Sequence, residues 1–365
     1  MSVKDLHDKP FDEGTIAKLE IFEAYTQAWL PTFVMVKKPT ICIFDFFAGT
    51  GYDKNGVGGS PIRILNKIKE QTDNIRQKNF RVKVFFNEYK KGKYGLLSKT
   101  CEQYLETNKD VRKATDIRYY NEDFTELFPK LLNEINDNPS LVFLDQNGIQ
   151  FSSPECLSKL ENTTTTDFLY FLSVSYLWRF GNQKGFKDHL AIDMDLVKQN
   201  PYKLIHRSII EQLRKKLPAS SQLKLYPYSI KKKSGIYGII FGAKHPLAVD
   251  KFLNIAWKRN AINGEANYDL DDDVEKTQLL LFGNKKLTKL EKFESSFREK
   301  VLNGKIGDNR NALDFAYSQG HIAKHAADVL RSMKKEGLVS YDSNSPYVTY
   351  ENVYKNKKSV SYSTN

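Results

Sequence analysis

Four acidic residues, each just past an apolar or strand-like run, and one turn of small residues are where this chain could do chemistry. Ile41 to Asp45 is apolar apart from its closing acid, and Phe46-Phe47-Ala48-Gly49-Thr50-Gly51 follows. Small residues at 48, 49 and 51 let the backbone turn tightly and approach a ligand closely. An acid closing the first strand, followed by a Gly-rich turn, is how a doubly wound sheet binds a nucleoside at its carboxyl edge. Arg81 to Phe86 predicts a second strand, ended by Asn87-Glu88. A carboxylate at that place can take two ribose hydroxyls at once; the other reading of Glu88 is an exposed strand-end acid. Asp116 to Tyr120 predicts a third strand, and Asp123 beyond it either accepts from an adenine amino group or caps the helix Thr125 to Asn136. Ser140 to Leu144 predicts a fourth strand that ends in Asp145-Gln146-Asn147-Gly148. Asp145 and Asn147 would then stand beside the reactive end of whatever binds there.

The elements that must position these groups follow from periodicity. Thr15 to Val34, Ser60 to Lys78, Tyr94 to Thr107 and Pro154 to Leu160 read as helices, and Asp167 to Tyr176 as a buried, aromatic-rich fifth strand. Residues 185 to 217 read as helical and increasingly basic. Leu223 to Ser229 and Gly235 to Gly242 then predict an antiparallel hairpin whose tip is Lys231-Lys232-Lys233. Alternating strands and helices of this kind build an α/β sheet covered by helices on both faces. The turn at 46–51 lacks the G-K-[ST] of a phosphate-cradling loop and sets its glycines at offsets other than G-x-G-x-x-G.

Composition narrows the partner. The chain has 365 residues and a net charge of +12. Lys198 to Arg259 holds fourteen Lys or Arg against Glu211 and Asp250, so this stretch carries the whole excess. A local basic field suggests nucleic acid, and its densest points are Arg214-Lys215-Lys216 and the hairpin tip Lys231 to Lys233. The alternative is a solvated helix face and an exposed hairpin. Cys42, Cys101 and Cys156 are far apart and suit a reducing, cytoplasmic setting. The first residues are charged and contain no signal-peptide core, and the longest apolar run, about eleven residues, is too short for a membrane span.

The C-terminal part is a second unit. Pro246 to Arg259 reads as a helix that closes a first domain over 1–260, and 261–284, with its acidic run Asp269 to Asp273, reads as a linker. Over 285–365, an apolar stripe from Leu287 to Val301, a helix Asn309 to Ser318, a break at Gly320 and a helix His321 to Glu336 follow. Leu338 to Tyr341 and Tyr347 to Tyr350 predict a small hairpin. Three helices and a hairpin resemble a winged helix-turn-helix, with Lys324, His325 and Arg331 on the polar side of the recognition helix. Winged helices also serve as protein–protein modules. His321 and His325 are spaced as in H-E-x-x-H but without the Glu, and Lys324 lies between them, so no metal site is expected.

The pattern Asp45-Phe46-Phe47-Ala48-Gly49-Thr50-Gly51 resembles motif I of S-adenosylmethionine-dependent methyltransferases. The chain as a whole, over about residues 15 to 350, resembles the three-Cys-motif partner family. Lys18, Tyr25 to Pro31, Asp45 to Gly51, Gly59-Ser60-Pro61, Asp145 to Gly148 and Ala243 to Leu247 carry that resemblance. It implies a Rossmann-like class I methyltransferase sheet with helices on both faces, plus a C-terminal winged helix-turn-helix. The cofactor would be S-adenosylmethionine, held by Asp45, Phe47, Ala48, Gly49, Gly51, Glu88 and Asp123. It also implies a radical-SAM-like three-Cys-motif protein encoded nearby, in gene pairs that look like mobile-element or phage-defence cargo. The family's fourth-strand motif is usually D-P-F-G, whereas this chain has Asp145-Gln146-Asn147-Gly148. Base amino-methyltransferases use [DNS]-P-P-[YFW], and the proline and the aromatic are both missing here. Three readings therefore stand: a methyltransferase acting on nucleic acid, a non-catalytic nucleic-acid- or partner-binding protein on the same fold, and an enzyme that uses the nucleoside site for other chemistry.

Overall fold

The computed structural model describes residues 10–35, 40–146, 154–181, 192–233, 235–279 and 286–364. They pack as two compact units, Met1–Lys244 and His245–Asn365.

In the first unit the described residues form a seven-stranded sheet. Its strands are β1 (Ile41–Asp45), β2 (Val82–Asn87), β3 (Thr115–Tyr120), β4 (Ser140–Leu144), β5 (Thr166–Leu172), β6 (Lys224–Lys232) and β7 (Gly235–Ala243). Their order is β3-β2-β1-β4-β5-β7-β6. The first five run parallel, and β7 lies antiparallel to both β5 and β6. Every residue of β1 and of β4 is buried, as expected of strands covered on both faces. The chain runs outward from β1 to β3 and returns to β4 beside β1. The carboxyl ends of β1 and β4 therefore flank the switch point at which sheets of this kind bind ligands.

Helices on the sheet are α1 (Glu13–Val34), α2 (Ser60–Lys69), α3 (Thr72–Lys78), α4 (Lys91–Thr107), α5 (Lys109–Ala114), α6 (Phe124–Asp137), α7 (Pro154–Glu161), α8 (Val174–Phe180), α9 (Met194–Lys198) and α10 (Ile205–Lys216). Asp12 caps α1 by accepting from the Thr15 amide. Phe22 of α1 stacks on Phe143 of β4 with centroids 4.7 Å apart. Tyr25 donates to buried Asp167 of β5 at 2.8 Å, so α1 is fixed across the strands that end at the switch point.

Three elements differ from their sequence expectation. The helix expected over 60–78 is two helices, because Glu70 and Gln71 leave the pattern and Gln71 takes φ −111°, ψ 2°. The fifth strand stops at Leu172, and the apolar residues after Ser173 form α8 instead. Of the expected helical stretch 185–217, the described part is α9, a 3-10 turn at Tyr202–Leu204, and α10.

The second unit contains α11 (Pro246–Arg259), α12 (Asp273–Leu279), α13 (Lys289–Leu302), α14 (Asn309–Ser318), α15 (Ala323–Lys335), and a short ribbon of β8 (Val339–Ser340) with β9 (Ser363–Thr364). Three expectations change here. Helix α11 groups with this unit rather than with residues 1–244. Residues 261–279, expected as a linker, are packed: Asn263, Ala266 and Leu270 are fully buried. Their acids act locally. Asp269 accepts from the Asp273 and Val274 amides at 2.9 Å each, and Asp273 accepts from the Lys289 amide at 2.8 Å. The partner of β8 is β9 at the end of the chain, not 347–350. Tyr347 has φ +49°, a left-handed conformation that breaks a strand, and Glu351–Lys355 is a π-helical turn.

Candidate functional site

At the carboxyl end of β1, Asp45 is 1 % exposed. Its Oδ1 accepts from the Phe47 amide at 3.2 Å, and its Oδ2 has no hydrogen-bond partner among the described residues. Burial raises its pKa to about 7, against the pull of the nearby Ser60 hydroxyl and the Phe47 amide; the charge of Asp145 adds to the rise, and Lys18 opposes it. A buried carboxylate with one oxygen unmet is costly unless a donor or a cation completes it.

The turn after Asp45 is built for close approach. The Ala48 amide donates to the Asn87 carbonyl at 2.9 Å. Gly49 and Gly51 have φ of +68° and +93°, and a Cβ on Gly51 would lie 2.7 Å from the Thr100 methyl. Phe47 packs on Phe124 with centroids 5.3 Å apart. Glu88 at the end of β2 reaches this turn, its Oε2 accepting from the Gly49 amide at 3.2 Å. Buried Asn87 clamps the edge from below: it donates to the Phe46 and Glu122 carbonyls and accepts from the Glu122 amide, all at 3.1 Å. The geometry thus brings Asp45, Phe47, Ala48, Gly49, Gly51 and Glu88 together. Asp123 is the helix cap that was one of its two readings: it accepts from the Thr125 amide at 2.8 Å and from its hydroxyl at 2.6 Å.

Asp145, at the end of β4, forms an ion pair with Lys18 of α1. The Lys18 ammonium also lies 4.5 Å from the centroid of the Phe171 ring. Next to Asp145, buried Gln146 donates to the Tyr170 hydroxyl at 2.9 Å. Asn147 lies outside the described residues. Lys18 was not singled out from chemistry, yet a signal existed: it sits four residues before Phe22 and seven before Tyr25, on the apolar stripe of α1, where a lysine needs a buried partner.

The basic stretch is partly committed to structure. Arg214 of α10 donates through Nε to the Leu225 carbonyl at 2.9 Å and lies over the Tyr226 ring. Lys215 and Lys216 are exposed, although partial burial lowers the pKa of Lys216. At the hairpin tip Lys232 pairs with Asp12 and stands over Tyr237, while Lys231 and Lys233 are exposed.

In the second unit α15 exposes Lys324, Asp328, Arg331 and Lys335, with Arg331 bonded to Asp328 at 2.6 Å. His325 does not share that surface. It turns inward, its ring 4.4 Å from Trp257 and its Nδ1 3.0 Å from the Nδ1 of His321. His321 stacks on Phe293 with centroids 4.1 Å apart. Burial and the neighbouring lysines keep both neutral, lowering His321 to about 2 and His325 to about 4. The Trp257 indole donates to the Gly320 carbonyl at 2.8 Å, which fixes the turn leading into α15.

Residues 267–346 match the family model described as the GMT-like wHTH domain. The match covers α12 to the loop after β8, so this part of the chain is a winged helix-turn-helix. A search of curated proteins gives no match. Among the described residues, no helix is long and apolar enough to cross a membrane.

Proposed function

We propose that the chain binds S-adenosylmethionine at the carboxyl end of β1 and acts as a methyltransferase on nucleic acid, which the winged unit helps to engage. The observation that carries this reading is the Asp45 carboxylate, buried at the switch point with one oxygen unmet. The sheet order supports it as well, since a terminal antiparallel hairpin such as β6–β7 closes the sheet of many methyltransferases. The residues present fit the group: a cationic, nucleoside-bearing ligand matches an edge that gathers Asp45, Glu88 and Asp145. Glu88 would take the ribose hydroxyls, and the Gly49–Gly51 turn would admit the ligand against the backbone. When bound, S-adenosylmethionine supplies an electrophilic methyl group on its sulfonium. The chain's task is then mainly to position the acceptor in line with it. Asp145 faces that position, and Lys18 holds and partly neutralises it.

The winged helix supports nucleic acid as the partner class, because a helix of this fold enters the major groove in many DNA-binding proteins. A partner carrying a three-Cys motif, and a place in phage defence, are further parts of this proposal and come from the resemblance alone. A second reading is favoured by the ion pair of Asp145 with Lys18 and by the absence of proline and aromatic at 146 and 147. In it the chain binds cofactor and nucleic acid without methyl transfer.

Titration calorimetry with S-adenosylmethionine at pH 6 and pH 8 tests the common core. Because Asp45 titrates near 7 and a cationic ligand favours its charged form, binding should be tighter at pH 8 and should release protons near pH 7. Absence of heat and of thermal shift at both pH values overturns the reading. Glu88→Ala should weaken binding, and Asp145→Ala should abolish transfer while sparing affinity. No turnover by the wild-type protein on DNA or RNA, with binding intact, selects the non-catalytic reading.

A further inference from the structure

Residues 89–99 read Tyr-Lys-Lys-Gly-Lys-Tyr-Gly-Leu-Leu-Ser-Lys, with four lysines and no acid. They follow Glu88 directly, and Lys91 to Lys99 form the start of α4, with Lys90 at its N-cap. Tyr89 is 66 % exposed and Leu96 54 %, and Lys90, Lys91 and Lys99 are exposed too. The backbone that displays Tyr89 is fixed: Asn121 donates to the carbonyls of Glu88 and Tyr89 at 2.7 Å each, and the Lys90 amide donates to Glu88 Oε1 at 2.9 Å.

Two features of this segment cost stability. Lys90 at the N-cap, with Lys91 and Lys93 in the first turn, puts positive charge at the positive end of the helix dipole. Gly92 and Gly95 lie within the helix, where glycine is less favourable than alanine. Neither has a left-handed φ, and a Cβ on either would meet nothing within 4 Å. Packing and backbone conformation therefore explain neither glycine, whereas close approach of a ligand explains both. The field of the lysines and the helix end selects a polyanion. An exposed aromatic among lysines suits a single strand, whose bases stack without sequence preference.

We propose that Tyr89–Lys99 is a docking surface for a single nucleic-acid strand, with Tyr89 stacking on a base and Lys90, Lys91 and Lys99 contacting phosphates. Gly92 and Gly95 let the sugar–phosphate backbone lie against the helix. The surface borders the Asp45–Gly51 turn, since Glu88 bonds the Gly49 amide and Thr100 packs on Gly51. It deepens the proposed function by naming the form of the substrate, and it rests on that reading only for the strand's being the methyl acceptor.

The test is fluorescence anisotropy with the full chain, a labelled oligothymidylate and its duplex with oligoadenylate. Replacing Gly92 and Gly95 together by Ala should raise the melting temperature and weaken oligothymidylate binding severalfold, a pair of effects that a structural role would not produce. Tyr89→Ala should weaken it about tenfold. Lys90→Ala with Lys91→Ala should lower the salt slope by about 1.4 on the single strand. A glycine variant that is stabilised yet binds as the wild type does overturns the proposal; so does equal loss on strand and duplex. Calorimetry with S-adenosylmethionine on the same proteins separates the two ideas. Strand binding that follows these variants without cofactor heat leaves the surface standing and removes the cofactor reading, and the reverse result does the opposite.

Discussion

The edge of the sheet and the core of the winged unit both bury titratable side chains, and they treat them in opposite ways. At the edge, Asp45 is fully buried, has one unmet oxygen, and is held at a pKa of about 7. In the winged unit, His321 and His325 share a hydrogen bond, lie against Trp257 and Phe293, and are held neutral. The histidine cluster is a finished core that needs nothing from outside. The aspartate is an unfinished one: its Oδ2 has no hydrogen-bond partner among the described residues, and that supports the proposed ligand there. A shifted pKa alone would have ranked His321 above Asp45; it is the missing partner that points to Asp45.

The largest expected effect falls on the finished core. Trp257→Ala removes the ring against which both histidines pack and the donor to Gly320. It should lower the stability of the second unit by about 3–5 kcal/mol, read from denaturant unfolding. A loss under about 1 kcal/mol would mean that α11 is an accessory to this unit and not part of its core.

Asp45→Asn should act in the opposite direction. Between about pH 4 and 7 the folded protein keeps a proton on Asp45 that the unfolded chain has released, so wild-type stability falls as pH rises through that window. At pH 8 the variant should therefore be more stable by about 2–4 kcal/mol, with the gain vanishing near pH 4. It should also lose the cationic ligand. Gain of stability with loss of binding would sharpen the contrast between the regions; an unstabilised variant would break it.

The histidines predict the reverse pH dependence. Below about pH 6.5 the unfolded histidines take up protons, whereas the folded His325 does so only near 4 and His321 near 2. Their contribution is full above pH 6.5 and is lost as pH falls. The second unit should lose about 2 kcal/mol between pH 6 and pH 5, and His321→Gln should reduce that slope. A flat profile would show that the histidines are not sealed.

What the sequence disclosed follows the same division. The parallel strands were legible because β1 and β4 are unbroken apolar runs, and the Asp45–Gly51 turn because its glycines carry positive φ. The ion pair of Lys18 and Asp145 was not, because its partners are 127 residues apart and only the packing of α1 brings them together. The acids at 269–273 looked like a linker because capping and solvation draw on the same residue types. The ribbon was misread because β9, Ser363–Thr364, is polar and exposed and gives no pattern, while the alternation at 347–350 imitates a strand.

The smallest effects concern the basic surfaces, and they separate side chains that are exposed from side chains already engaged. On α15, Lys324 and Arg331 are exposed whereas His325 is inward and neutral. Lys324→Ala should lower the salt slope of duplex binding by about one, Arg331→Ala by less because Arg331 is already bonded to Asp328, and His325→Ala should leave it unchanged. At the hairpin tip Lys232 is already paired with Asp12, so its charge is largely met within the protein. Changing Lys231, Lys232 and Lys233 together to Ala should therefore flatten the slope by less than the three units that fully free phosphate contacts would give. A salt titration on one labelled duplex, run with the wild type and the four variants, checks each of these. An unchanged slope in the tip variant makes the tip a solvated hairpin and leaves duplex contact to the winged unit. An unchanged slope in the α15 variants instead removes that helix from the groove and leaves its exposed face to a protein partner.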